Sequence, residues 1–127
     1  MAYGGGEYTD ITLPAAADFS THQYKFIIAD ANGRGTIATT AVGPYIGILQ
    51  NKPDAADKPA RIRVHGISKL VAGAALNEND MICSTAVGGF GTATAASAIG
   101  TFCGAIALAA VGGSTDIADV LVTHFIV

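Results

Sequence analysis

The chemistry available to this 127-residue chain is scattered: His22, His65 and His124, the thiols Cys83 and Cys103, and the acids Asp54 and Asp57. A hydrolytic triad needs a nucleophile, a base and an orienting acid within hydrogen-bond reach. His65 and Ser68 could join an aspartate in one, yet no motif marks any serine as the nucleophile. The cysteines sit in apolar, strand-like stretches without a CxxC spacing or a nearby histidine pair, which reads as buried free thiols rather than zinc ligands or a redox couple. Asp54 and Asp57 stand beside Lys52 and Lys58, so their loop neutralises itself instead of presenting a carboxylate cage to a cation. The glycine clusters "GGG", "NGRG" and "GGFG" match neither phosphate-binding fingerprint, both of which need a following helix N-terminus. The expectation is therefore no catalytic residue, no metal and no cofactor, and the chain is read as not an enzyme.

Binding is the more informative question. In "ARIRVHG" the residues Arg61, Arg63 and His65 alternate with Ile62 and Val64, the period of two that a strand with one buried face requires. That strand places two of only seven basic residues on one outward stripe, a candidate contact for another subunit or a partner protein. The first twenty residues behave differently, with a triple glycine, a proline and no period of either kind beyond a possible "YTDITL" strand. They are read as an N-terminal arm, residues 1–20, ahead of a domain at 21–127. Gly4, Gly5 and Gly6 are costly to order. Tyr3, Tyr8, Ile11 and Leu13 provide apolar contacts, so the arm, with Glu7, Thr9, Asp10 and Thr12, is expected to be mobile alone and dispensable for folding. It would order by adding an extended segment to another protein's sheet.

The elements that must carry these residues are short strands. "QYKFIIAD" is β-branched and aromatic, and "ANGRG" supplies the positive φ of a hairpin turn, from which "TIATTAV" returns. "YIGILQN", "ARIRVHG", "ISKLVAG", "MICSTAV", "TFCGAIALAAV" and "DVLVTHFIV" follow, with turns at "LNEND" and "GGFG". One short helical turn is expected near residues 93–99. The loop at 51–59, with its prolines and mixed charges, is an exposed connector that resists strand pairing. Fold class is thus all-β, a small barrel or sandwich-like domain.

Half of the residues are apolar, enough for a single core, while aromatics make up only 7%. A net charge of −3 speaks against nucleic acid, whose affinity rests on clustered basic side chains. The uncharged run between Asp80 and Asp116 contains a GxxxG spacing at Gly100 and Gly104, but glycines interrupt it and no Lys or Arg flanks it, so no membrane span is expected. "MAYGGGEYTD" has no basic start followed by an apolar run, and the chain is expected to be made in the cytoplasm.

"IGILQNKP", a hydrophilic loop, and "ARIRVHGISKLVAGAALNENDMICS" together resemble the capsid decoration, or cement, proteins of tailed bacteriophages, which carry a "GVLQN-P" strand followed by "V-G-S-K-V-AG-A---GD". The likeness extends weakly over 21–127. The family usually has Gly-Asp where this chain has Asn79-Asp80, a mild departure because Asn tolerates the left-handed region. The resemblance implies a compact β-barrel-like domain, no catalysis, homotrimers seated on the outside of a capsid, the major capsid protein as partner, a role in head stabilisation, and an N-terminal segment that meets the shell. A second resemblance is that of "GISKLVAGAALNENDMI" to biotinyl and lipoyl carriers and β-clip modules. Those carriers present a modified lysine in a tight turn, whereas Lys69 lies within an apolar strand.

Overall fold

The computed structural model describes residues 8–39, 44–85, 88–94 and 97–127. Among the described residues nine strands form one antiparallel sheet: β1 (Thr9–Pro14), β2 (Phe26–Ala29), β3 (Gly35–Ile37), β4 (Gly47–Leu49), β5 (Pro59–Val71), β6 (Met81–Ser84), β7 (Gly91–Thr94), β8 (Phe102–Ala107) and β9 (Ile117–Ile126). Their order is β3-β2-β4-β5-β9-β8-β6-β7, with β1 paired to β5 beside this path. The sheet curls into a half-barrel, so the all-β expectation holds. The helical turn expected near 93–99 is absent among the described residues: Gly91–Thr94 is strand β7, paired through Thr94 with Met81. Nor is any described helix long and apolar enough to cross a membrane.

Local chemistry sets the hairpins. Asp30 turns the chain between β2 and β3 by accepting hydrogen bonds at Oδ1 from the backbone N–H groups of Asn32 and Arg34, both at 2.9 Å. The Asn-Gly turn is where the sequence puts it, although regular pairing on the return lasts only from Gly35 to Ile37, and residues 40–43 lie outside the described set. Asn79 adopts φ +68° within the "LNEND" turn, and Asp80 Oδ2 accepts from Asn77 N–H at 2.8 Å.

Strand β5 organises the molecule. Its first half, residues 59–65, runs between β1 and β4, and its second half pairs with β9. "ARIRVHG" and "ISKLVAG" are therefore one strand rather than two. The corner is Gly66, whose φ of +108° is strained for any residue with a Cβ. Beside it Thr9 pairs with His65 while Asp10 pairs with Arg63, leaving Val64 as the extra residue of a β-bulge. The bulge exchanges the faces of the strand. Ala60 and Ile62 feed one apolar cluster and Leu70 feeds another.

The larger cluster fills the half-barrel with Phe26, Tyr45, Ile48, Leu70, Ile82, Val120 and Val122. Phe26 stacks on Tyr45 at 5.0 Å, and the Tyr45 hydroxyl accepts from Ser84 N–H at 3.1 Å, which ties the segment leading into β4 to β6 across the core. Phe26 N–H donates to Gly89 O at 2.9 Å, bringing the "GGFG" turn onto β2. The smaller cluster lies behind β2, β4 and the first half of β5, where Ala15 and Phe19 cover Ile27, Leu49, Ala60 and Ile62, with Leu13 packed against them.

That cover corrects the reading of the arm as a free segment. Thr9–Pro14 is a strand of the chain's own sheet, and Leu13 and Ala15 belong to its own second core. The possible "YTDITL" strand is present as β1, but its partner is the chain's own β5 and not the sheet of another protein. Residues 1–7, including Tyr3, Gly4, Gly5, Gly6 and Glu7, lie outside the described residues.

Candidate interaction surface

Strand alternation puts Tyr8, Asp10 and Thr12 on one face of β1 and Ile11 and Leu13 on the other. The register sets Asp10 opposite Arg63, and Thr12 opposite Arg61, so the acid of β1 meets the basic stripe of β5. Arg63 Nε lies 2.8 Å from Asp10 Oδ1 and Nη2 lies 3.2 Å from Oδ2, a bidentate pair. Arg63 Nη1 donates to Ile67 O at 2.9 Å, and the Tyr8 ring lies 3.9 Å over the guanidinium carbon. Arg61 Nε approaches Asp10 Oδ2 at 3.4 Å from a more exposed position. Arg63 is thus held in plane by a carboxylate and a carbonyl and covered by a ring.

The stripe predicted from "ARIRVHG" holds for Arg61 and Arg63, opposite Thr12 and Asp10, but the bulge at Val64 turns His65, opposite Thr9, to the other face, and Arg63 lacks the expected availability. Arg63 is closed off by Asp10 and Tyr8 of the same chain, its side chain only 13% exposed, whereas Arg61 keeps 54% and His65, opposite Thr9, is exposed. The acid that meets the two arginines is Asp10 of the same chain. A pairing across 53 residues leaves no local signature beyond the alternation of "YTDIT".

The connector at 51–59 is exposed as expected except for the buried Pro53. Asn51 clamps its two ends, donating to Pro59 O at 3.0 Å and accepting from Arg61 N–H at 3.0 Å. Phe19 N–H donates to Pro53 O at 2.7 Å and Asp57 N–H to Ala15 O at 2.8 Å, so the loop is stitched to the segment following β1. Arg34 pairs with Asp57 at 3.2 Å on the outside.

The remaining candidates are dispersed. The Ser68 hydroxyl faces inward, accepting from Gln50 Nε2 at 2.8 Å and donating to Lys69 O at 2.9 Å, while His65 faces solvent. Lys69 lies within β5, 3.3 Å from Asp119 of β9, not at a tight turn. Both cysteines are buried free thiols, and burial pushes the Cys103 thiol up from its ordinary pKa. No cluster of His, Cys, Asp or Glu among the described residues could hold a metal ion. Phe102, His124, Phe125 and Ile126 line an open apolar depression of about 390 Å³, where the His124 ring contacts Ile46 O at 2.8 Å.

One cluster has no sequence signature. Lys25 is almost wholly buried, with its Nζ 2.9 Å from His22 Nδ1 and 4.4 Å from the centre of the Phe90 ring. Burial, reinforced by the neighbouring Lys25 charge, holds His22 below its ordinary pKa, and burial likewise lowers Lys25. This arrangement requires His22 neutral, because only then can Nδ1 accept from the ammonium. Between the two residues, Tyr24 adopts φ +66° with its N–H donating to Leu49 O and its carbonyl accepting from Val71 N–H.

No protein-family model and no curated protein matches the sequence. Among solved structures, the chain is similar in fold to the N base of the head fiber gp8.5 of bacteriophage phi29. The likeness covers 92% of this chain and 95% of that one, with a TM-score of 0.63 at 11% identity.

Proposed function

We propose that the chain is a structural protein of a bacteriophage virion, a homotrimer that binds the major capsid protein on the outer surface of the head and stabilises the shell. The observation that carries this reading is the fold shared, over nearly the whole of both chains, with a protein described as the base of a phage head fiber. A second line of support is the decoration-protein motif, which spans β4, β5 and β6, the strands around which the half-barrel is built. In this reading the role is mechanical and not catalytic, and the protein is made in the host cytoplasm before joining the virion. Residues 3–7 would lead from the anchored strand β1 to the shell, with the exposed side chains of Tyr8 and Ile11 beside them.

The test is co-sedimentation of the purified chain with heads of the source phage that lack it. Saturable binding on the outside, followed by heads that withstand greater heat or chelation, supports the proposal. Heads that neither bind the protein nor gain stability overturn it.

A further inference from the structure

Antiparallel sheets with one solvated face usually turn apolar residues inward and polar residues outward. The half of this sheet formed by β5, β9, β8 and β6 carries apolar side chains on both faces. The register aligns Ile67 with Leu121, Leu121 with Ile106, and Ile106 with Met81, a single row across four strands. Residues next to them in sequence, including Val120, Val122, Ala105, Ala107 and Ile82, are wholly buried in the barrel cluster. The row therefore points outward. Its four members are each partly exposed and belong to neither core cluster, and Ile117 and Leu108, 52% and 43% exposed, extend it. On the other half of the sheet, behind β2 and β4, Leu13, Ala15 and Phe19 supply the missing cover. An apolar sheet face of this kind marks a protein contact.

The charges on this face specify the partner. Lys69 and Asp119 are direct cross-strand neighbours, 3.3 Å apart, so the face has no net charge although the chain carries −3. We propose that a second copy of this chain covers the β5–β9 part of this face, the two sheets packed back to back about a twofold axis that runs along the strands between β5 and β9. That rotation lays Lys69 of each copy over the partner's Asp119, and two ion pairs become a ring of four alternating charges. Self-complementarity of this sort is what a twofold contact requires. That axis lays β5 and β9 of one copy over β9 and β5 of the other, so the directly overlaid face is two strands about 4.8 Å apart by six residues of about 3.3 Å each, roughly 10 by 20 Å. Such a patch is about a quarter of the ~800 Å² that one partner buries in a standard interface, so the association is weak and concentration-dependent. The inference rests on neither the phage reading nor threefold assembly, because a twofold contact doubles whatever unit is present.

Light scattering after size exclusion, from low to high micromolar concentration, tests it with the full chain. The wild type is expected to reach an even multiple of 12.8 kDa. Leu121→Lys halves that mass. Lys69→Asp alone and Asp119→Lys alone each halve it as well, since like charges then face each other across the axis. Mixing these two variants restores the wild-type mass, a result that misfolding of either could not produce. A wild type that remains a monomer or a trimer at the highest concentration overturns the proposal. So do charge variants that keep the wild-type mass, or a mixture that fails to recover it.

Discussion

Removing the carboxylate of Asp10 is the most direct test of how β1 is held. Asp10→Ala deletes both arms of the bidentate contact and leaves Arg63 with only Ile67 O and the Tyr8 ring. A hydrogen bond to a charged group contributes about 1.5–3 kcal/mol, and breaking a fully buried ion pair costs about 3–5 kcal/mol. Asp10 and Arg63 each retain 13% side-chain exposure, so water compensates part of the loss. The expected cost is about 2–3 kcal/mol, which for a domain of this size lowers Tm by roughly 6–15 °C. Urea unfolding of Asp10→Ala, Arg63→Met and the double variant forms a cycle that isolates the pair, with an expected coupling of about 1.5 kcal/mol or more. Arg61→Ala, at a site 54% exposed, should cost less than about 1 kcal/mol. A coupling below about 0.5 kcal/mol would show that β1 is held by its backbone and apolar side alone, and the clasp argument would fail.

Deleting residues 2–7 should leave Tm unchanged, whereas deleting residues 2–13 should lower it steeply, because Leu13 lies over the second core. Gly47→Ala would drive a Cβ into the carbonyl of Arg63 and should prevent stable folding, as read by loss of the cooperative unfolding transition. Thr115→Gly, at φ +69°, should stabilise by up to about 1 kcal/mol in urea titrations by relieving a left-handed β-branched residue. The lowered pKa of His22 means that the unfolded chain binds its proton more tightly than the fold does. Stability should therefore decline as pH falls through the ordinary value of 6.5 towards the lower folded value. His22→Asn, which keeps an acceptor for Lys25 without titrating, should flatten that slope in urea midpoints measured from pH 5 to 7.5, and an unchanged slope would assign it to other groups. The buried thiols should react with an aromatic disulfide only in denaturant, and fast labelling of the native chain would contradict their burial.

The strands were legible where local chemistry dominates. Asn32-Gly33 announces a hairpin, Asn79 accepts a left-handed turn, and Ala60 to Arg63 alternates as half-buried sheet should, until the bulge at Val64 moves His65 to the other face. Two features were not local. Gly66 looked like the end of a strand because the period of two fails there, yet a bulge and a left-handed glycine carry β5 through the corner with its faces exchanged. The arm looked free because six residues cannot reveal their partner, which lies 53 residues away. A short helical turn was expected near residues 93–99. Pairing of β7 with β6 overrides that expectation, as tertiary contacts commonly do. The Lys25–His22 contact was invisible for a further reason: a buried lysine held by a ring and an imidazole needs no acidic partner in the sequence.

The geometry of β1 also determines how the chain bears load. A pull on the residues ahead of Tyr8 along the strand axis strains the pairs from Thr9 to Pro14 together, whereas a sideways pull opens them one at a time from Thr9. The Tyr8 and Asp10 contacts to Arg63 stand at that vulnerable end. Peeling must therefore break the strongest side-chain grip first, so β1 resists tension from either direction and yields abruptly rather than by gradual fraying.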